Sequence, residues 1–214
     1  NIPVDKPGTL INNDASLSVK QDNNPYVSRG GVKLEAALKG IPVSVKGLRC
    51  IDIGASTGGF SDCLLQSGAV QVYAVDVGYG QFDWTLRQDS RVTVIERTNI
   101  RHMPFEVINE KVDLVVADTS FISLKIVIPS AEKFMRDHTQ VLALIKPQFE
   151  AGKQNVGKGG VVKDPEIRKL VIKDLKKFFK ERGYLVNQVI PSPVLGPKGN
   201  KEYIISLNFK ENLN

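Results

Sequence analysis

The sequence of 214 residues predicts an α/β fold, in which helices cover both faces of a mainly parallel sheet. The first supporting observation is that strand-like and helix-like stretches alternate along most of the chain. The second is that the runs VDLVVAD (112–118) and QVLALIK (140–146) are apolar almost throughout, as expected of strands covered on both faces. The third is that the last two strand-like runs have no helix between them, so they should pair antiparallel.

Residues 1–24 carry turn formers and one short strand-like alternation, and the regular pattern begins after them. Apolar residues at helical spacing predict a helix over 29–39 that Gly40 ends. Further along the chain, the expected strands lie at 49–53, 71–77, 92–96, 112–118 and 140–146. The expected helices between them lie at about 58–67, 80–88, 103–109 and 123–136.

The last third of the chain begins with a loop at 151–163 that is rich in glycine and lysine. Asp164 and Pro165 then have the order of an N-cap and a first helical residue, which predicts a helix to about residue 182. Strands follow at about 184–190 and 202–209. Seven strands with an antiparallel last strand are typical of the Rossmann-like sheet of methyltransferases that use S-adenosylmethionine (SAM).

Composition and charge narrow the class of protein. The net charge of +6 favours polyanionic partners, although an ordinary basic enzyme would show the same value. No apolar run approaches the roughly 18 residues of a membrane span, and residues 1–25 lack the apolar core of a signal peptide. Cys50 and Cys63 have neither CxxC nor zinc-site neighbours. We therefore expect a cytoplasmic protein with reduced thiols, no metal and no membrane partner.

The segment IDIGASTGGF (51–60) follows a predicted strand and allows three interpretations. GASTG (54–58) has the G-x-S-x-G spacing of serine hydrolases, but His138 precedes the strand at 140–146 and so lies at the opposite sheet edge from Ser56. A nicotinamide-binding turn needs G-x-G-x-x-G, and Ser56 stands where the second glycine should be. Such an enzyme also usually needs a second nucleotide-binding half, for which the chain has no room.

The third interpretation, a SAM-binding turn, agrees best with the residues. Gly54 allows the chain to turn tightly, and Gly58 and Gly59 would allow the helix backbone to approach a ligand. Asp76 ends the second strand roughly 20 residues later, where a carboxylate can accept hydrogen bonds from both hydroxyls of a ribose. The turn and the acid together are compatible with any adenosine-bearing cofactor.

The residues available at the sheet edge limit what could be methylated. The segment ADTSF (117–121) stands where methyltransferases that act on exocyclic base nitrogens commonly carry an Asn-Pro-Pro-Tyr type run. Methylation of a base carbon would need a nucleophilic cysteine at this edge. Cys63 falls within a predicted helix and Cys50 begins a strand at the far edge, so neither is suitable.

Two lysines and two acids suggest a different acceptor. Asp118 and Lys146 end neighbouring strands, at the edge where open parallel sheets bind ligands. A lysine base would suit a weakly acidic group such as a ribose 2′-hydroxyl, provided that burial or a second cation assists it. Lys33 could be that cation or could bind phosphate, while Asp118 and Glu202 would orient the ammonium.

Several segments within residues 26–207 resemble the TlyA/hemolysin A family, which is related to the FtsJ-type ribosomal RNA 2′-O-methyltransferases. They are YVSRGGVKLEAAL, DIGASTGGF, AVDVGYGQ, RTNIR, VADTSFISL, LIKPQFEAG, GKGGVVKDP and GNKEYIISL. The resemblance implies SAM-dependent methylation of a ribose 2′-hydroxyl, with ribosomal RNA or ribosomal subunits as the partner. It also implies a catalytic tetrad, which falls on Lys33, Asp118, Lys146 and Glu202.

Binding residues follow from the same interpretation. Residues 52–60 would hold the amino acid end of SAM, Asp76 its ribose, and Asn99 and Ile100 its adenine. The complete expected cofactor set is Asp52, Gly54, Ala55, Ser56, Thr57, Gly58, Gly59, Phe60, Asp76, Val77, Asn99, Ile100 and Asp118. The residues expected to contact the RNA backbone are Arg29, Lys153, Lys158 and Lys163, although the loop that carries the three lysines could instead be disordered.

Residues 1–24 resemble the last part of the S4-like RNA-binding domain that precedes the FtsJ-like methyltransferase domain (here 25–214) in this family. The earlier part of that small domain is not in the sequence, so we expect it to be truncated and RNA affinity to be reduced. No segment is suited to forming a membrane pore. The alternative function is an RNA-binding or haemolysin-like protein that keeps a SAM-binding fold without turnover.

Overall fold

The computed structural model describes residues 9–12, 14–16 and 24–211. The strands in this part of the chain are β1 (Arg49–Ile53), β2 (Gln71–Val75), β3 (Val92–Ile95), β4 (Val112–Ala117), β5 (Met135–Ile145), β6 (Leu185–Pro191) and β7 (Tyr203–Asn208). The α-helices are α1 (Arg29–Gly40), α2 (Gly59–Gln66), α3 (Trp84–Arg87), α4 (Leu124–Ser130), α5 (Pro147–Glu150) and α6 (Pro165–Glu181).

The strands form one sheet in the order β3-β2-β1-β4-β5-β7-β6. Strands β1 to β5 run parallel, and β7 pairs antiparallel with both β5 and β6. The predicted seven-stranded, mainly parallel sheet with an antiparallel last strand is confirmed. The carboxyl ends of β1, β2, β4 and β5 therefore share one edge of the sheet with the amino end of β7. We call this the carboxyl edge, and the opposite one the amino edge.

Successive side chains of each strand point to opposite faces of the sheet, so a hydrophobic core forms on each face. In β5, Val141, Ala143 and Ile145 pack on the face that α4 and α6 cover. Leu142 and Leu144 pack on the other face, which α1 and α2 cover. This two-sided burial explains why the β4 and β5 sequences are apolar almost throughout.

Three predicted helices are shorter in the structure. The stretch 80–88 contains only the single turn α3, and 103–109 contains a 3₁₀ turn at Phe105–Val107. Helix α4 contains Pro129, which lacks the N–H of a helical hydrogen bond, and it ends one residue later at Ser130, while β5 already begins at Met135. The exposed polar residues 136–138 conceal the start of β5 from a search for apolar strands.

The remaining expectations concern the two domains, membrane-spanning helices, metal ligands and the cysteines. Of the proposed RNA-binding remnant, residues 1–8, 13 and 17–23 lie outside the described residues, as do 212–214 of the second domain. In the part of the chain that is described, no helix is long and apolar enough to cross a membrane. The same residues contain no cluster of potential metal ligands, and both cysteines are buried and free.

Candidate active site

Four segments bring the predicted tetrad together at the carboxyl edge. Lys33 lies in α1, Asp118 follows β4 and Lys146 follows β5. Glu202 precedes β7, and it reaches the same edge because β7 runs antiparallel to its neighbours. The direction of the last strand is therefore what joins Glu202 to the other three residues.

The tetrad is a connected network of buried charges. Lys146 Nζ lies 2.5 Å from Asp118 Oδ1, and Lys33 Nζ lies 2.7 Å from Glu202 Oε2. The two pairs meet at Asp118, whose Oδ2 is 3.8 Å from Lys33 Nζ. The side chain of Glu202 is 0% exposed and those of both lysines are 10% exposed. Two cations and two anions compensate one another here, as burial of charge requires.

Two residues that sequence reasoning missed complete this network. Ser120 Oγ accepts a hydrogen bond of 2.9 Å from Lys146 Nζ. Gly196 lies against the Glu202 carboxylate so closely that a Cβ there would collide with it. The motif VADTSF contains Ser120, but its spacing does not reveal that it contacts Lys146. No local signal marks Gly196, because the glutamate that excludes a side chain belongs to another segment.

The glycine turn after β1 is shaped by its neighbours. Gly54 has a φ of +82°, and a Cβ on it would lie 2.7 Å from the Asp118 carbonyl oxygen. Ser56 also has a positive φ of +51°, and its backbone N–H donates to Asp76 Oδ2 at 2.8 Å. The other oxygen of Asp76 accepts from the Gly78 N–H at 2.6 Å. The Asp76 carboxylate is thus held directly beside the turn.

Gly58 and Gly59 serve contacts within the protein. A Cβ on Gly58 would lie 2.6 Å from Leu86 Cδ1, and one on Gly59 would collide with Ser28 and approach the Gly31 backbone. These glycines therefore let α2 pack closely against α1 and α3. Neither lines the cavities beside the tetrad, so their predicted approach to a ligand stays a prediction.

Asp52 lies beneath the turn rather than in a cavity wall. Its side chain is fully buried in β1, and one carboxylate oxygen accepts a 2.7 Å hydrogen bond from Ser61 Oγ. The other oxygen has no partner. Burial raises the pKa of Asp52 to about 7, despite the opposing hydrogen bond from Ser61.

Two adjoining cavities meet at the tetrad. The larger, of about 790 Å³, is lined in part by Gly54, Ser56, Asp76, Val77, Asn99 and Ile100. The smaller, of about 360 Å³, is lined by Arg29, Lys33, Ala55, Thr57, Phe60 and Lys146. Asp118 lines both. The larger volume is within the range of small-molecule and cofactor sites.

The loop 151–163 has a defined conformation in the structure, and contacts both within it and to Asn200 hold it. Gly157 and Val161 form a β-bridge, and the Asn200 side chain both accepts from the Val162 N–H and donates to the Gly160 carbonyl. The three predicted RNA-contacting residues of this loop, Lys153, Lys158 and Lys163, are all exposed.

A third missed feature is Phe121, which follows Asp118 by three residues. The residue is 90% exposed, and its backbone has a φ of +64°, which is unusual for a bulky residue. The ring packs on Phe149, with 4.9 Å between ring centroids. Phe121 and Lys146 line a common groove of about 440 Å³.

The strand order is that of a Rossmann-like fold, which solved structures described as SAM-dependent methyltransferases share at below 25% identity. The family model described as FtsJ-like methyltransferase matches residues 26–209. The chain therefore belongs to the FtsJ-like methyltransferase family.

Individual relatives agree with this assignment. "Putative rRNA methyltransferase YqxC" of Bacillus subtilis is 48% identical over 207 residues, which span 96% of this chain and 74% of the relative. The 16S/23S rRNA (cytidine-2′-O)-methyltransferase TlyA of Mycobacterium tuberculosis is 46% identical, with 96% and 77% covered. A solved structure described as "Putative hemolysin" from Streptococcus thermophilus is 43% identical, has a TM-score of 0.85, and covers 90% of this chain and 70% of its own. The sequence-based resemblance is confirmed.

Proposed function

We propose that the protein transfers the methyl group of SAM to a ribose 2′-hydroxyl of ribosomal RNA in the cytoplasm. The observation that carries the proposal is the contact between the Lys146–Asp118 and Lys33–Glu202 pairs where the two cavities meet. The names of the TlyA and YqxC relatives support ribosomal RNA as the substrate. Residues before 25 would belong to an S4-like RNA-binding domain.

The larger cavity suits SAM in both size and polar groups. Asp76 lines this cavity, where its carboxylate would accept from the ribose hydroxyls of the cofactor, and Asn99 and Ile100 line the same cavity for the adenine. The turn from Gly54 to Thr57 would hold the amino acid end, above the buried Asp52. SAM supplies an electrophilic methyl group, so the protein has to align the acceptor and remove its proton.

Lys146 is the proposed base. Asp118 Oδ1 and Ser120 Oγ hold its Nζ from two sides, which leaves a position on the nitrogen for the substrate hydroxyl. To act as the base, Lys146 would have to be a neutral amine, whose lone pair accepts the hydroxyl proton while its two N–H groups face Asp118 and Ser120. The 2′-oxygen would bond to the methyl carbon as the bond from that carbon to sulfur breaks. Lys33 contacts the other Asp118 oxygen and is fixed by Glu202, so the second pair keeps Asp118 in place.

The surroundings of Lys146 suit a nucleotide acceptor. The exposed Phe121 ring in the adjoining groove can stack on a nucleobase, as aromatic side chains do in RNA recognition. Arg29 at the smaller cavity, together with Lys153, Lys158 and Lys163 on the ordered loop, would bind backbone phosphates.

Methyl transfer from radiolabelled SAM to intact ribosomal subunits tests the function, with the products digested to nucleosides. We expect label on a 2′-O-methyl nucleoside. Transfer to a base, or RNA binding with no transfer, would contradict the proposal, and the second result would favour the binding-protein alternative.

Calorimetry with SAM and, separately, NAD tests the cofactor. SAM should bind and NAD should not. Asp76→Ala should weaken SAM binding about 10- to 100-fold, because charge-assisted hydrogen bonds are lost. Asp113→Ala is the matched control, since Asp113 also accepts a backbone N–H, from Arg49, but at the amino edge. Equal SAM affinity in the wild type and Asp76→Ala would contradict the proposed site.

A further inference from the structure

We infer that Glu150 is a positioning residue, which holds the segment 118–124 in register with Lys146 without touching the substrate. Glu150 ends α5, the single helical turn that directly follows Lys146. Its carboxylate accepts hydrogen bonds from Ser123 Oγ at 2.6 Å and from the Leu124 backbone N–H at 2.8 Å. The inference rests on the proposed function, because it assigns Glu150 a role in that reaction.

The two hydrogen bonds to Glu150 tie together the loops that leave β4 and β5. The two loops already meet at their beginnings, where Lys146 contacts Asp118 and Ser120. Glu150 joins them again at their far ends, where Ser123 caps α4. Both ends of the segment that carries Asp118, Ser120 and Phe121 are therefore anchored to the Lys146 loop.

The Ser123 hydroxyl can act only as the donor in its hydrogen bond to the Glu150 carboxylate. Its hydroxyl oxygen accepts from the Lys125 N–H at 3.1 Å, so its proton is free to be donated to Glu150. The Leu124 N–H is one of the helix-terminal donors that have no partner inside the helix. The carboxylate of Glu150 thus replaces a partner that α4 itself cannot supply, and it fixes where the helix begins.

The segment needs such an anchor because it holds an unfavourable conformation. Phe121 has a positive φ, which persists only where the surroundings determine the backbone. Phe149 packs on the Phe121 ring from the same loop as Glu150. Without the carboxylate, the segment could relax and move Asp118 and Ser120 away from Lys146.

The experiment uses full-length Glu150→Ala and Glu150→Gln, with Glu110→Ala as the matched control. Glu110 also accepts a hydroxyl hydrogen bond, from Tyr73, and pairs with Arg49, but it lies at the amino edge. For Glu150→Ala we expect kcat to fall about 10-fold with a smaller change in the KM for SAM, because the main loss is alignment of Asp118 and Ser120 with Lys146. Glu150→Gln should retain an intermediate kcat, since its amide can still accept from Leu124 and interact with Ser123.

Hydrogen exchange of the same proteins provides a measurement independent of activity. Amides 118–124 should exchange faster in Glu150→Ala, but not in Glu110→Ala. Wild-type kcat and wild-type protection in Glu150→Ala would overturn the inference, and so would an equal kcat loss in Glu110→Ala. If Glu150→Ala does not fold, the test uses Glu150→Gln. Wild-type kcat together with wild-type protection of amides 118–124 in that variant would overturn the inference. A wild-type protein that transfers no methyl group would instead refute the proposed function, while hydrogen exchange still decides the role of Glu150.

Discussion

The charged side chains at the two edges of the sheet differ in their exposure to solvent. At the amino edge, Arg49 Nε lies 2.8 Å from Glu110 Oε2, with side chains 49% and 35% exposed, and Asp113 accepts the Arg49 N–H. At the carboxyl edge, Lys33, Lys146 and Glu202 are nearly or fully buried. Exposed pairs contribute little to stability, and buried charges cost free energy to desolvate.

Buried polar atoms without hydrogen-bond partners are a second feature of the carboxyl edge. Oxygens of Asp52, Thr119, Gln148 and Glu202 are buried without a partner, and all four residues lie at or beneath the carboxyl edge. A buried polar atom without a hydrogen bond is destabilising, so a protein selected for stability alone would not collect them here. The difference between the two edges supports the proposal that the carboxyl edge binds a ligand.

The largest effect should come from removing the proposed base. Lys146→Ala should lower kcat about 100- to 10,000-fold, because general base catalysis is lost. Its SAM affinity should stay near that of the wild type, which calorimetry can verify. Lys111→Ala, which removes a lysine that donates to the Met135 carbonyl near the amino edge, should keep full activity. A Lys146→Ala protein with wild-type methyl transfer would show that the two edges do not differ in function.

A smaller loss is expected at Gly196. In Gly196→Ala the new Cβ displaces the Glu202 carboxylate, which is fully buried and cannot move into solvent. Lys33 then loses its partner, and kcat should fall about 10-fold through misalignment of the tetrad. Gly40→Ala is the control, since a Cβ there meets only Ile190 Cδ1, at 3.3 Å. Equal kcat values for Gly196→Ala and Gly40→Ala would show that the position of Glu202 does not affect the reaction.

The last prediction concerns stability and its dependence on pH, with no change in activity expected. The pKa of Asp52 is about 7 in the folded protein, above the usual value near 4, so the folded state binds more protons between these values. The free energy of unfolding should therefore fall as pH rises from about 4 to 7, by at most about 1.4 kcal/mol for each unit of the pKa difference.

Urea unfolding at several pH values measures this slope. Asp52→Asn should flatten it, because the titrating group is gone. Asp113→Asn changes a carboxyl group at the amino edge of the same sheet and leaves Asp52 in place. This variant should keep the wild-type slope. An unchanged slope in Asp52→Asn would mean that burial of Asp52 does not shape the pH dependence.

Prediction from sequence succeeded where the signal is local. The apolar strands, and the positions of the glycine turn and Asp76 at the ends of β1 and β2, could be located because each depends on neighbouring residues or on hydrophobic periodicity. It failed for the stretch 123–136, where α4 already ends at Ser130 and polar residues conceal the start of β5. Ser120, Gly196 and Phe121 were missed because their importance arises from contacts with other segments or from backbone conformation.

The sequence by itself determined the order of strands and helices, the antiparallel ending and the motifs that indicate a methyltransferase, because these are properties of adjacent residues. Only the tertiary structure decided that Lys33 pairs with Glu202, that Asp118 contacts both lysines, and that Glu150 closes on the start of α4. Such contacts depend on how distant segments pack across two faces of a sheet. Packing is set by the whole core at once, so no single stretch of sequence contains it.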